Sequence, residues 1–169
     1  MTSRLAACLL VPAVLAGCAG AGTVSQVSRS PGSADQVRVF LATQPVASVV
    51  GTPPDGADAA RVAQALRAPA SQGGKAFGLA APGQDPRIAI GFGAVSPEAL
   101  CSGGATAAGG ASDRLEATVV YCQGGRPAGG ARVASGTVLG PSSPGFADLF
   151  ASALAQMARQ RRSGGDGAG

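Results

Sequence analysis

The sequence predicts a small α+β domain, with a mainly antiparallel sheet and two helices packed on one face. Three observations support this fold class: short runs with alternating apolar residues, two stretches with apolar residues at helical spacing, and Gly- or Pro-rich segments between them. A chain of 169 residues has the length of one domain. The predicted order of elements is β-β-α-β-β-β-β-α, with the helices covering one face of the sheet.

Six runs have the pattern of strands. The clearest is 115–122, where Leu115, Val119 and Tyr121 lie on one face. A Gly-rich turn follows, and 131–138 is predicted to return as the hairpin partner. The other predicted strands are 36–42, 46–51, 75–80 and 87–94.

Two stretches have apolar residues at helical spacing. Residues 57–67 are predicted as a helix because Ala59, Val62 and Ala63 share a face, with Asp55 or Asp58 as the cap. The second helix follows Ser143, which is predicted to cap it with Pro144 in the first turn. Its apolar stripe consists of Phe146, Leu149, Phe150, Ala153 and Met157. At its end, the positive charges of Arg159, Arg161 and Arg162 oppose the helix dipole.

The N-terminal segment from Leu5 to Gly17 contains no charged residue and follows Arg4. Its 13 residues would span roughly 20 Å as a helix, which is less than the roughly 30 Å hydrocarbon core of a bilayer. This length is typical of the apolar region of a signal peptide.

The segment ends in Leu15-Ala16-Gly17-Cys18, which resembles the lipobox of bacterial lipoproteins. The resemblance implies that lipid is attached to the Cys18 sulfur and that residues 1–17 are removed. It further implies a membrane anchor, since two or three acyl chains hold a protein firmly. Because Ala19, and not Asp, follows the cysteine, the resemblance favours the periplasmic face of the outer membrane over the inner membrane.

Four segments follow from this interpretation. Residues 1–17 are the signal peptide, and 18–34 are the lipidated cysteine with a flexible tether rich in Gly, Ala and Ser. Residues 35–162 are the α+β domain, and 163–169 are a disordered tail.

Two of the four cysteines remain for the folded domain. Cys8 leaves with the signal peptide and Cys18 carries the lipid, so Cys101 and Cys122 are predicted to form a structural disulfide. Closing a loop of about 20 residues would stabilise the domain by about 3 kcal/mol. The alternative, a redox or metal-binding pair, lacks both C-x-x-C spacing and a histidine.

The composition argues against most catalytic and binding classes. The chain has no His, the commonest general base and metal ligand, and we predict no catalytic residue, metal site or cofactor. Residues 91–96 match only part of a dinucleotide-binding motif, because Ser96 stands at the third glycine and no helix is predicted after it. No nucleic-acid partner is expected, since the basic residues are scattered and only five Phe and one Tyr are present.

Two hypotheses of function remain. The first is a membrane-tethered, non-catalytic module that contacts an envelope protein, peptidoglycan or a small ligand. The second is a small envelope hydrolase that uses paired carboxylates. Its candidate residues are Asp55, Asp58, Glu98, Asp113 and Glu116.

Overall fold

The computed structural model describes residues 22–106 and 113–159. Four α-helices and six strands form the described domain. The strands are β1 (Thr23–Arg29), β2 (Val46–Val50), β3 (Gly78–Leu79), β4 (Arg87–Phe92), β5 (Leu115–Gln123) and β6 (Arg126–Ser135). The helices are α1 (Ser33–Ala42), α2 (Ala59–Ala65), α3 (Pro97–Ser102) and α4 (Phe146–Ala158), with a 3₁₀ turn at Ala70–Gln72.

The strands form one sheet in the order β1-β6-β5-β4-β2-β3. The β1–β6, β6–β5 and β5–β4 pairs are antiparallel, whereas β2 runs parallel to both β4 and β3. The predicted α+β class is therefore confirmed, but the sheet is mixed. Strand β2 can run parallel to β3 and β4 because α2 follows β2 in the chain and provides the long crossover connection that parallel strands need.

The main core lies on one face of the sheet, under α1, α2 and α4. Alternate residues of β5 point into it, and Phe146 and Phe150 of α4 stack at 4.7 Å between ring centroids. The other face carries a smaller core beneath α3, formed by Ala89, Val95, Leu100, Cys101, Val120 and Cys122. Three helices thus cover one face and one covers the other, in place of the two on one face that the sequence predicts.

The strand predicted at 36–42 is wrong, because these residues belong to α1. Val37, Phe40 and Leu41 are buried at helical spacing, whereas Val39 is 67% exposed. An alternating strand would bury Val39 together with Val37. The short run satisfies both periodicities, and packing against the core selects the helix.

The assignment of 18–34 as a flexible tether also needs correction. Residues 23–29 form the edge strand β1, which pairs antiparallel with β6, and α1 begins at Ser33. The segment is held in the sheet by backbone hydrogen bonds to β6. Because these bonds do not depend on side chains, its polar composition gives no indication of a strand. Cys18, residues 1–17 and residues 163–169 lie outside the described part of the chain.

The β5–β6 hairpin closes more tightly than predicted. Gly124 and Gly125 have φ values of 60° and 69°, which suit a two-residue turn of the kind that favours glycine at both positions. Strand β6 therefore starts at Arg126, whereas the sequence predicts 131. Most other strands agree with the prediction, although β3 contains only two residues.

The helix boundaries differ from the prediction by a few residues. Asp58 caps α2, as its side chain accepts a hydrogen bond from the Arg61 backbone N–H at 2.8 Å. Helix α4 begins after Gly145, which has a φ of 83°. Ser143 is not its cap, because the Ser143 hydroxyl accepts a hydrogen bond from the Leu139 N–H at 3.0 Å instead.

Replacing Gly125 with Ala should lower the free energy of unfolding by about 1–2 kcal/mol, because a Cβ is unfavourable at this left-handed backbone conformation. Gly136→Ala is the matched control, since a Cβ there meets no atom within 4 Å and the backbone is not left-handed. Denaturant unfolding of both variants measures the difference. Equal stability of the two would contradict the turn geometry.

Tyr121 should ionise at higher pH than a free tyrosine. It is 2% exposed and its ring lies 5.5 Å from that of Phe40. Burial, followed by the nearby negative charge of Asp85, raises the pKa of Tyr121 above its ordinary value of 10.0. It is the only tyrosine, so tyrosinate absorbance reports its titration directly.

The raised pKa has a defined effect on stability. Above pH 10 the unfolded chain loses the Tyr121 proton before the folded chain does, so stability falls as the pH rises from there. Below that pH this contribution is fully present. Tyr121→Phe should remove this part of the pH dependence, and a titration midpoint at or below 10 would contradict the prediction.

Candidate functional site

Helix α3 is fastened to the sheet through Cys101 and Cys122. The structure places their sulfur atoms at bonding distance, as the sequence predicts, with the Cα atoms 5.3 Å apart. The two residues are 3% and 0% exposed. Such burial suits a structural crosslink, whereas a redox-active cysteine needs access to its partner.

Arg87 provides a second connection between α3 and the sheet. It lies at the start of β4, is 8% exposed, and donates hydrogen bonds to the carbonyl oxygens of Cys101 at 2.7 Å and Leu100 at 3.3 Å. It also donates to the Gln84 carbonyl and the Ser48 hydroxyl. The bonds to Leu100 and Cys101 satisfy carbonyl groups at the end of α3 that have no donor within the helix. No residue near Arg87 in sequence indicates this role, so it is not predicted from the sequence.

A cleft of about 530 Å³ opens where α3 begins, between the Gly93–Pro97 segment and the exposed surface of the sheet. Strands β1, β5 and β6 form its floor. Its polar side chains come from four separate parts of the chain: Ser25, Ser96, Glu116, Thr118 and Arg132. The Ser96 hydroxyl accepts a hydrogen bond from the Ala99 N–H at 3.2 Å and so caps α3.

Strand register explains how the floor of the cleft is assembled. Arg132 of β6 lies directly opposite Ser25 of β1 on one side and Thr118 of β5 on the other. Glu116 lies two residues before Thr118 and therefore points to the same face. Three neighbouring strands, of which β1 is distant in sequence, thus present a cation, a carboxylate and two hydroxyl groups on one surface.

Thr118 is unusual among the buried polar residues of the described chain. It is 6% exposed, and its hydroxyl makes no hydrogen bond with the described residues, whereas Ser33, Arg87 and Ser135 all have partners. No fully inaccessible side-chain oxygen or nitrogen in the described part lacks a partner. The Thr118 hydroxyl therefore reaches solvent, and the solvent it reaches is in the cleft.

The charges of the cleft do not cancel each other directly. Glu116 pairs with Arg114, with Oε1 and Nε 3.3 Å apart, although both side chains are more than half exposed. Arg132 is exposed and makes no hydrogen bond or ion pair with the described residues. The cleft therefore offers one guanidinium group whose donors are available to a ligand.

Two of the predicted acidic residues, Asp55 and Asp58, accept backbone hydrogen bonds outside the cleft. Asp55 accepts hydrogen bonds from the backbone N–H groups of Ala57 and Ser142, each at 3.2 Å. Asp58 caps α2. Neither residue lines the cleft.

The remaining predicted acids do not form a cluster either. Glu98 lies in the first turn of α3, Asp113 adjoins residues that are not described, and only Glu116 lines the cleft. Across 22–106 and 113–159, no group of three or more His, Cys, Asp or Glu residues could hold a metal ion. Of the acids proposed for hydrolysis, only Glu116 lines the cleft.

The cleft is not predicted from the sequence, because α3, which follows one of its walls, is not predicted. The six-residue helix is too short for a periodic pattern, but Ser96 followed by Pro97 is a recognisable start signal. The expectation that no helix follows 91–96 is therefore wrong.

No protein-family model, curated protein or solved structure matches the chain. Within the described ranges, every helix is too short or too polar to cross a bilayer.

Replacing both Cys101 and Cys122 with Ala should lower the free energy of unfolding by about 3 kcal/mol, because the unfolded chain is then no longer constrained. Cys101→Ala alone should cost nearly as much, since one substitution already removes the crosslink. Denaturant unfolding measures both variants. Unchanged stability, or alkylation of both cysteines in the native protein without reductant, would contradict the disulfide.

Proposed function

We propose that the protein is a lipid-anchored, non-catalytic binding module of the bacterial cell envelope, carried on Cys18. The observation that carries this proposal is Leu15-Ala16-Gly17-Cys18 at the end of an uncharged segment. A thiol at this position is the group that can form the lipid-bearing thioether. Ala19 favours the periplasmic face of the outer membrane.

The start of the described domain supports a short connection to the membrane. Gly22, the first described residue, comes four residues after Cys18 and directly precedes β1. Four residues span at most roughly 14 Å. A lipid on Cys18 would therefore hold the domain close to the bilayer surface.

The orientation of β1 brings the cleft to the tethered end of the sheet. Thr23 lies opposite Ala134, and the neighbouring Ser25 and Ala134 both line the cleft. The binding surface and an anchor on Cys18 would then share one end of the domain. Its partner would be an envelope protein, a peptidoglycan fragment or a small ligand that is accessible near the membrane.

The residues of the cleft favour binding over catalysis. The chain contains no histidine, and Glu116 is the single carboxylate that the described residues contribute to the cleft. A carboxylate-dependent glycosidase needs two such groups on opposite sides of the bond that is cleaved. The alternative of an envelope hydrolase therefore has less support, because Asp55 and Asp58 cap backbone groups away from the cleft.

The mass of the protein extracted from membranes tests the anchor. We expect a chain that begins at Cys18 and carries added acyl mass. Cys18→Ser is the matched variant, and it should lose both the acyl mass and the processing. An unmodified chain of 169 residues in the wild-type preparation would contradict the proposal.

A further inference from the structure

We propose that the cleft beside Thr118 and Arg132 binds the phosphate group of a small phosphate ester or of a lipid headgroup. This deepens the binding function proposed above by naming the class of ligand. Only the choice between a soluble and a membrane source rests on the lipidation of Cys18.

Arg132 supplies the charge that such a ligand needs. Its guanidinium group is exposed at the cleft and has no partner within the described residues. A planar guanidinium can donate two parallel hydrogen bonds to phosphate oxygens, and this geometry gives both affinity and orientation. Arg132 lies in the middle of the cleft floor, between β1 and β5.

Two hydroxyl groups flank Arg132 across the strands. Thr118 and Ser25 are its register partners on either side, and both line the cleft. The Thr118 hydroxyl is the more informative of the two, because it is attached to a side chain that is 6% exposed and has no partner in the described domain. Because this hydroxyl reaches solvent in the cleft, a phosphate oxygen bound there can replace water as its hydrogen-bond partner.

The size of the cleft indicates more than a bare phosphate ion. A volume of about 530 Å³ lies in the range of small-molecule sites. Apolar and small residues, among them Val95, Ala117 and Ala134, line the remainder. This surface can accommodate the glycerol or a similar part of an ester.

Glu116 and Arg132 should have opposite effects on the affinity for phosphate. Its carboxylate lines the same cleft and would repel a phosphate, although Arg114 at 3.3 Å partly offsets its charge. Neutralising Glu116 should therefore strengthen binding, whereas neutralising Arg132 should weaken it. A general loss of structure would not move the affinity in opposite directions.

The decisive experiment is a calorimetric titration of the full chain, purified in detergent from whole-cell extracts, with glycerol 3-phosphate. Arg132→Gln and Thr118→Val should each weaken binding by about tenfold, the effect expected for a lost hydrogen bond to a charged group. Glu116→Gln should tighten binding. Arg126→Gln is the matched control, because Arg126 is an exposed residue on the same strand but lies outside the cleft.

Circular dichroism establishes that each variant is folded before its affinity is compared. Absence of binding to the wild-type protein would overturn the proposal. An equal effect of Arg132→Gln and Arg126→Gln would also overturn it, since the attraction would then be non-specific. Because the titration does not require an acyl group, it decides the cleft proposal even if Cys18 proves to be unmodified.

A second arm distinguishes the two sources of phosphate. The lipidated protein is placed in vesicles of phosphatidylcholine, with or without phosphatidylglycerol, and titrated again with glycerol 3-phosphate. Weaker apparent binding in the phosphatidylglycerol vesicles supports the lipid headgroup, because the lipid then competes for the cleft. Equal affinity in both vesicles supports a soluble ester.

Discussion

The attachment of α3 to the sheet is the constraint on which the candidate site depends. The helix has only six residues, and isolated helices of that length are not stable in water. Its position is held by the Cys101–Cys122 pair and by the Arg87 hydrogen bonds to its last carbonyl groups. Because one wall of the cleft is the segment that leads into α3, the same contacts maintain the shape of the cleft.

Close packing between α3 and β4 depends on a residue with no side chain. A Cβ atom at Gly91 would lie 2.9 Å from both Leu100 Cδ2 and Val95 Cβ, a distance shorter than van der Waals contact. Gly91 thus lets these residues approach the strand and form the smaller core. The α3 face of the sheet has fewer apolar residues, and it is stabilised by the disulfide, by the buried Arg87 and by the close approach of α3 to β4. The face covered by three helices is stabilised by extensive apolar burial.

Sequence patterns predict those elements whose own side chains determine their secondary structure. They do not predict elements whose structure is determined by pairing with a distant part of the chain. Strand β5 was predictable because Leu115, Val119 and Tyr121 alternate with residues of the opposite face. Helix α1 was misassigned because Val37 and Val39 alternate as in a strand, although only Val37 is buried. Strand β1 and the cleft could not be predicted, since Ser25 reaches Arg132 only through backbone pairing between β1 and β6, about a hundred residues apart in sequence. The β5–β6 hairpin, which places Thr118 beside Arg132, is a local pairing.

The position of β1 between the proposed anchor and the rest of the domain has a mechanical consequence. Tension on Cys18 would act first on the outermost strand, which has a neighbour on one side only. The far end of β1 is held by the Arg29 side chain, which donates a hydrogen bond to the Arg159 carbonyl at the end of α4. Detachment of the seven residues of β1 would free a segment with a reach of roughly 24 Å, at the cost of its hydrogen bonds to β6 and its packing against α4. If Cys18 carries the proposed anchor, detachment of this edge strand would lengthen the connection between the anchor and the rest of the domain.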